Sequence, residues 1–448
     1  MSIRTRFAPS PTGLLHVGNA RAALFCFMFA KKHDGQFVLR LDDTDHERST
    51  QAFADAIQAD LDWLGLKWDE TARQSDRFER YDAVFETLVA QGHVYACYET
   101  PEELERKRKR QLARGKPPVY DRAGLALSSD EKAALETEGR SAHWRFKLSG
   151  NQVSWRDLVR GEQKIDTASV SDPVIRRADG SWLYTLPSVV DDLDMNISHV
   201  IRGEDHVTNT AAQVELIAAL GGEVPEFAHF SLMLGADGSG LSKRVGSLAL
   251  ADLRDSGLEP ISLNAHIARL GTADPVVPAH TMQKIIDGFD MARLGRAPAR
   301  FDPEDVKRLN ARILHETPYA AVAERLVEIG APAQVEFWEA MRGNIEKFAD
   351  MQDIVALING PITPMVETDD AEYIAQARAL LPDAPLDTES WSDWTGRLRD
   401  ETGRNGRALF MPLRMALTGQ SHGPEMQHLL YHIGYDEAVA RLEAAGKH

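Results

Sequence analysis

Cysteine is nearly missing from this chain: of its 448 residues, only Cys26 and Cys97 carry a thiol. Two cysteines exclude a disulfide framework and fall short of a cysteine-rich metal site. The expected compartment is therefore the reducing cytoplasm. Long hydrophobic runs are missing as well. The longest uninterrupted apolar stretch, Ala22 to Ala30, is far shorter than the ~20 residues of a membrane helix, and residues 1–13 lack the apolar region of a signal peptide. Positive charge is in deficit: 51 Lys and Arg against 68 Asp and Glu leave −17 at pH 7. Phosphate binding is largely electrostatic, so that balance argues against a general nucleic-acid coat and turns attention to local basic patches. Gly 32 and Pro 21 exclude collagen-like and low-complexity chains, and 43% hydrophobic with 27% charged excludes a mostly disordered one. The length suggests roughly three domains.

What is present is an alternation of strand and helix. Residues 2–7 read as a strand, followed by the turn Ala8-Pro9-Ser10-Pro11-Thr12-Gly13 and a helix from about Gly18 to His33. Residues 36–41 read as the next strand. Phe53, Ile57, Leu61 and Leu64 mark a helix, and Tyr81, Phe85 and Leu88 another. This pattern predicts a parallel sheet covered on both faces. From about residue 80 to 180 the character changes: residues 102–116 are charged, 143–148 and 153–159 alternate like antiparallel strands, and Asp179-Gly180 signals a hairpin. The α/β pattern returns with strands at 199–202 and 229–234 around a helix at 208–220, so the middle reads as an insertion. After about residue 250 the strands are expected to vanish into a helical array.

Two distant segments carry chemistry. In Arg6-Phe7-Ala8-Pro9-Ser10-Pro11-Thr12-Gly13-Leu14-Leu15-His16-Val17-Gly18-Asn19, a strand ends in a tight turn and feeds a helix N-terminus, where orphan N–H groups and the helix dipole favour a phosphate. His16 and Asn19 are three apart and share a helix face. Gly18 admits a ligand close to the backbone, and His16 can donate to a phosphate oxygen. In Gly235-Ala236-Asp237-Gly238-Ser239-Gly240-Leu241-Ser242-Lys243-Arg244, a glycine-rich loop places Lys243 as a compact charge for a transferring phosphoryl group. Either segment alone is a weak signal; together, each after a strand and before a helix, they are a strong one.

These segments resemble the HIGH and KMSKS signatures of class I aminoacyl-tRNA synthetases, and Arg6 to Gly13 resembles the bacterial-type glutamyl branch. Further matching strings are Arg40-Leu41-Asp42-Asp43-Thr44-Asp45, Leu183-Tyr184, Val189-Val190-Asp191-Asp192, Val200-Ile201-Arg202-Gly203-Glu204-Asp205 and Pro412-Leu413-Arg414-Met415-Ala416-Leu417-Thr418-Gly419. The resemblance implies an α/β fold: a Rossmann-like parallel-sheet catalytic domain (1–80 and 186–250) with an α+β insertion that meets the tRNA acceptor end (81–185). A helical stem-contact domain (251–320) and an all-helical anticodon-binding domain (321–448) follow. It also implies ATP-dependent activation of L-glutamate and transfer to tRNA(Glu), with tRNA(Gln) a second candidate. ATP with Mg²⁺, no zinc, a monomer and a cytoplasmic location are expected.

By resemblance, His16, Asn19, Lys243 and Arg244 carry catalysis, and Ser10, Gly18 and Asp205 complete the ATP set with His16, Asn19 and Lys243. Arg6 is the position used against the glutamate side-chain carboxylate, and Arg202 is the second candidate; such guanidiniums grip carboxylates bidentately. Ala8, Ser10 and Tyr184 join them, and Asp42 is placed to receive the α-ammonium. The chain departs from the pattern in several places. Asp42 stands where Glu is commoner. Gly240 replaces the first Lys of KMSKS, and His206 replaces an aromatic. Some relatives bind zinc through cysteines in the insertion; here Cys97 stands near His93 and Tyr120, below the ligand count of a structural site. For RNA, Arg106, Lys107 and Arg108 open a basic run in the insertion, and Arg296 lies in a second basic stretch. Asn344 stands where some relatives check the third anticodon base. Glutaminyl-tRNA synthetase and a catalytically impaired tRNA-binding paralogue remain alternatives; the former is disfavoured by the helical reading of the C-terminal half.

Overall fold

The computed structural model describes residues 2–240 and 249–446. In chain order its strands are β1 (Arg4–Phe7), β2 (Gln36–Leu41), β3 (Glu70–Arg73), β4 (Val94–Cys97), β5 (His143–Phe146), β6 (Gln152–Asp157), β7 (Gly161–Asp166), β8 (Val174–Arg176), β9 (His199–Gly203), β10 (Glu226–Phe230), β11 (Met233–Gly235) and β12 (Ala299–Phe301). The chain divides into two compact units.

The first unit, Met1–Ser256 with Pro260–Pro303, is built on a sheet ordered β3-β2-β1-β9-β10-β6-β7. Every neighbouring pair is parallel except the β6–β7 hairpin. The strand order reverses between β1 and β9, and the crevice at such a switch point, beyond the carboxyl ends of the strands, is where open α/β sheets bind ligands. The apolar run Ala22–Ala30 lies in the helix Val17–Lys32 behind β1, buried along almost its whole length. Phe25 packs there on the rings of Phe230 and Phe289, 5.1 and 5.3 Å between centroids. A helix apolar on nearly every side is a core helix, not an amphipathic surface one. Among the described residues, no helix is long and apolar enough to cross a membrane.

The structure refines the sequence reading in three places. The strands expected over 143–148 and 153–159 both form antiparallel pairs, but in different sheets. β5 sits between β4 and β8 in a small antiparallel sheet, whereas β6 pairs with β7 and extends the main sheet through β10. The reason is local: the Asp157 carboxylate accepts from the amides of Val159 and Arg160 at 3.0 and 2.9 Å, and Gly161 takes a positive φ of 73°, closing a tight turn. The strand expected over 229–234 is two strands, β10 and β11, in different sheets. They are separated where Arg21 Nη1 takes the Ser231 carbonyl at 2.6 Å. Strands also do not vanish after residue 250, because β12 pairs in parallel with β11.

The second unit, Gly257–Glu259 with Glu304–His448, is helical. Its core holds the fully buried Trp338 and Trp394. Their indole N–H groups donate to the carbonyls of Thr317 and Ala377 at 2.7 and 2.8 Å, so neither ring leaves a polar atom unpaired.

Candidate active site

A cavity of about 590 Å³ opens at the β1/β9 switch point. Arg6, Ala8, Ser10, Asp42, Tyr184 and Arg202 line one part of it, and His16, Gly18, Asn19 and Asp205 another. The two sequence-predicted sets thus share one cleft.

Arg6 is next to last in β1 with its side chain 4% exposed, and it donates through Nε and Nη2 to Asp192 at 3.0 and 3.4 Å. Arg40, wholly buried in β2, donates to both oxygens of Asp42 at 2.7 and 3.2 Å and to Asp192 at 2.7 Å. Asp191 stands 3.7 Å from Arg40 and accepts from Arg77 and Tyr81 at 2.7 and 2.8 Å. Burial opposes ionisation of Asp192, but Arg6 and Arg40 together hold its carboxyl below the ordinary range. For Asp42 burial prevails over the pull of Arg40, and its pKa is pushed up to about 6.

Arg202, at the end of β9, has no carboxylate in hydrogen-bonding contact among the described residues. Its Nε donates to His229 Nε2 at 3.0 Å and its Nη1 to the Tyr184 hydroxyl at 2.9 Å; Nη2 reaches Thr210 and Gln213 at 2.8 and 2.7 Å. Burial lowers its pKa. Arg6 and Arg40 face Asp42, Asp191 and Asp192, Arg77 binds both Asp191 and Asp194, and Arg202 meets no carboxylate directly, the buried Asp157 standing behind His229.

At the other part, His16 is the N-cap of Val17–Lys32. Its Nδ1 accepts from the amides of Gly18 and Asn19 at 3.0 and 3.4 Å, while Asn19 Oδ1 accepts from the His16 amide at 3.1 Å. Two amides expected to greet a phosphate are therefore already taken. With Nδ1 an acceptor, the ring carries its proton on Nε2, and burial lowers its pKa. The donors left for a phosphate are His16 Nε2–H and the Asn19 side-chain NH₂, backed by the helix dipole.

Lys243 and Arg244 lie outside the described residues. The chain leaves the described part at Gly240, which lines the cavity, and resumes at Ala249, bridged to His16. His206 lines the cavity with its ring 5.4 Å from that of Tyr184.

A family model described as "tRNA synthetases class I (E and Q), catalytic domain" matches residues 2–308, and one described as "Anticodon binding domain" matches 305–446. The chain belongs to the class I tRNA synthetases. Curated relatives of this synthetase include the glutamate–tRNA ligase 1 of Maricaulis maris, 56% identical over 98% of each chain. The glutamate–tRNA ligase 2 of Hyphomonas neptunium is 53% identical, again over 98% of each. Among solved structures, a glutamate tRNA ligase from Elizabethkingia meningosepticum in complex with its amino acid superposes with a TM-score of 0.87 at 28% identity, covering 100% of this chain and 99% of that one.

The RNA-facing candidates of the synthetase are scattered. Arg106, Lys107 and Arg108 lie on the helix Pro101–Ala113. Lys107 is engaged by Glu99 and Asp121, both at 3.1 Å, and Arg108 stands 3.3 Å from Glu105. Arg296 reaches the β6–β7 turn, where a Cβ on Gly161 would meet its Nη2 at 3.4 Å. Asn344 is exposed in a short turn of the helical unit.

Sequence reasoning missed Arg40, Asp192, Asp157 and His229. The available signal was a charge inside an otherwise apolar strand or helix, as in Gln36–Leu41 and Thr185–Asp194; such charges are rarely buried unless paired. It also misjudged the surroundings of Cys97. His93 lies against Phe146. Cys97, Glu99 and His143 instead bring their ligand atoms within 4.8 Å of one another. The Tyr120 hydroxyl lies 3.4 Å from Cys97 Sγ and 2.9 Å from Glu99, which also binds Lys107. The trio is one short of the four ligands of a structural zinc, its carboxylate is already engaged, and burial raises the Cys97 thiol.

Proposed function

We propose that the chain is a glutamate–tRNA ligase. It joins L-glutamate to ATP as glutamyl-adenylate and then esterifies the 3′-terminal ribose of tRNA(Glu). The observation that carries this reading is the buried Arg202 guanidinium, which lines the cleft with Arg6 and meets no carboxylate directly among the described residues. Glutamate brings two carboxylates for these guanidiniums and one ammonium. Arg6 and Arg202 grip the carboxylates, Ser10 and Tyr184 add hydroxyls, and Asp42 accepts the ammonium.

The α-carboxylate of glutamate attacks the α-phosphorus of ATP, and the bond to the bridging oxygen breaks so that pyrophosphate leaves with the electron pair. No protein nucleophile is needed, and rate comes from positioning and charge stabilisation. His16 Nε2–H and Asn19 donate to the phosphates, and Lys243 and Arg244 meet the leaving pyrophosphate. Asp205, an exposed carboxylate on the cavity wall, is a hard oxygen ligand that would hold Mg²⁺, and the bound ion would neutralise part of that leaving charge. The helical unit reads single-stranded anticodon bases, whose edges and faces are free. The basic helix Pro101–Ala113 and Arg296 meet acceptor-end phosphates. We read the protein as a cytoplasmic monomer.

ATP–pyrophosphate exchange with glutamate, with and without tRNA, tests the reaction, and exchange with glutamine instead would reassign the enzyme. Charging of separately purified tRNA(Glu) and tRNA(Gln) tests the partner. Asn344 in place of a discriminating arginine leads us to expect both to be charged, and strict preference for tRNA(Glu) would sink that expectation.

A further inference from the structure

His229 is completely buried in β10 and does not line the cavity, yet both of its ring nitrogens are engaged by charged groups. Nε2 lies 3.0 Å from Arg202 Nε and 3.1 Å from the Thr210 hydroxyl, and Nδ1 lies 2.6 Å from Asp157 Oδ2. A guanidinium has donors only. Nε2 must therefore be an acceptor, and the ring is neutral with its proton on Nδ1, donated to Asp157. The other carboxylate oxygen, Oδ1, accepts three backbone amides: His229 at 3.2 Å, Val159 at 3.0 Å and Arg160 at 2.9 Å. Asp157 is thus oriented by backbone, His229 by Asp157, and the guanidinium plane of Arg202 by His229.

We propose that Asp157 and His229 form a tautomer lock that positions Arg202, so that a residue at the end of β6 sets the geometry of the amino-acid pocket. Both are positioning residues, since neither lines the cavity. The inference rests on the reading of Arg202 as a glutamate carboxylate ligand. Its chemistry is specific. If the ring carried its proton on Nε2, that proton would turn to the Thr210 hydroxyl, 3.1 Å away, and Arg202 Nε–H, 3.0 Å from the same nitrogen, would lose its acceptor. The fork could then no longer hold its present plane.

Asp157→Asn makes that switch with little change of shape. The three backbone amides require the amide oxygen on their side, which leaves the NH₂ facing His229 Nδ1. The ring must then accept at Nδ1 and carry its proton on Nε2. His229→Asn places an amide near the old Nδ1 and keeps the Asp157 contact, but offers Arg202 no acceptor. His229→Gln places an oxygen near the old Nε2 and restores that acceptor while losing Asp157.

Glutamate and ATP KM are measured by pyrophosphate exchange in the presence of tRNA(Glu), on variants whose thermal unfolding matches the parent. Asp157→Asn and His229→Asn are expected to raise the glutamate KM about tenfold or more, the scale of one charge-assisted hydrogen bond, with the ATP KM within about twofold. His229→Gln is expected to stay within about threefold of the parent. A glutamate KM unchanged in Asp157→Asn, both KM values rising together, or His229→Gln no better than His229→Asn would each overturn the lock. Nitrogen NMR of isotopically labelled histidine reads the lock without substrate, also where a variant is poorly folded. The parent should show an Nδ1–H ring for His229, and an Nε2–H ring or an imidazolium overturns the proposal. A parent that does not exchange with glutamate defeats the reading of the reaction instead, and the spectrum still decides the tautomer.

Discussion

Arg6 and Asp192 form a buried ion pair, Nε to Oδ1 at 3.0 Å, between the end of β1 and the helix Thr185–Asp194, residues far apart in the chain. The guanidinium assigned to the glutamate side chain is therefore not waiting free. It is held in place by a protein carboxylate that also binds Arg40 at 2.7 Å.

Removing Arg6 should have two consequences. Arg6→Ala should raise the glutamate KM by about 100-fold, the scale of a lost charge-assisted contact, with little change in the ATP KM. It should also lower stability by about 3 kcal/mol, because a buried carboxylate loses a partner. Steady-state kinetics and urea denaturation check the two separately. An unchanged glutamate KM would dismiss the pocket assignment whatever the stability does.

Asp42 should impose an acid limb on activity. Its pKa, raised to about 6 chiefly by burial, means that the carboxylate needed by the α-ammonium is complete only above that pH. The kcat/KM for glutamate should fall about tenfold per pH unit below about 6. Burial lowers the pKa values of His16, His206 and His229, so Asp42→Asn assigns the limb: the variant should be slow and lack it. The same raised pKa makes ionised Asp42 a cost to folding. That cost is absent below the ordinary carboxyl pKa of 3.8 and complete above about 6.

Lys243→Ala should slow single-turnover adenylate formation by about 100-fold or more while leaving the glutamate Kd within about threefold. The described residues on either side of it are Gly240, on the cavity wall, and Ala249, bridged to His16. Equal rates in variant and parent would remove Lys243 from its role.

Metal analysis of the purified protein should find zinc well below one equivalent. Glu99 is neutralised by Lys107 at 3.1 Å, the Cys97 thiol is raised by burial, and the Arg145 guanidinium stacks 4.1 Å from the Tyr120 ring centre. Stoichiometric zinc, lost on Cys97→Ser, would show that Cys97, Glu99 and His143 are ligands after all.

The sequence by itself determined the alternating strands and helices of the first unit, the helical second unit, and the residue types at the cleft. Those properties are local: apolar periodicity, turn chemistry at Gly13 and Gly180, and short motifs whose spacing survives any tertiary arrangement. Tertiary structure alone decided how the charges are matched. Arg6 meets Asp192, Arg40 meets Asp42 and Asp192, and Asp157 reaches Arg202 through His229, because parallel strands far apart in sequence lie side by side at the switch point. Strand partners were likewise beyond local pattern, since the alternation of β6 is the same whether it faces β5 or β7. A buried charge is tolerated only where a partner stands, and which partner stands there is a property of the packed sheet.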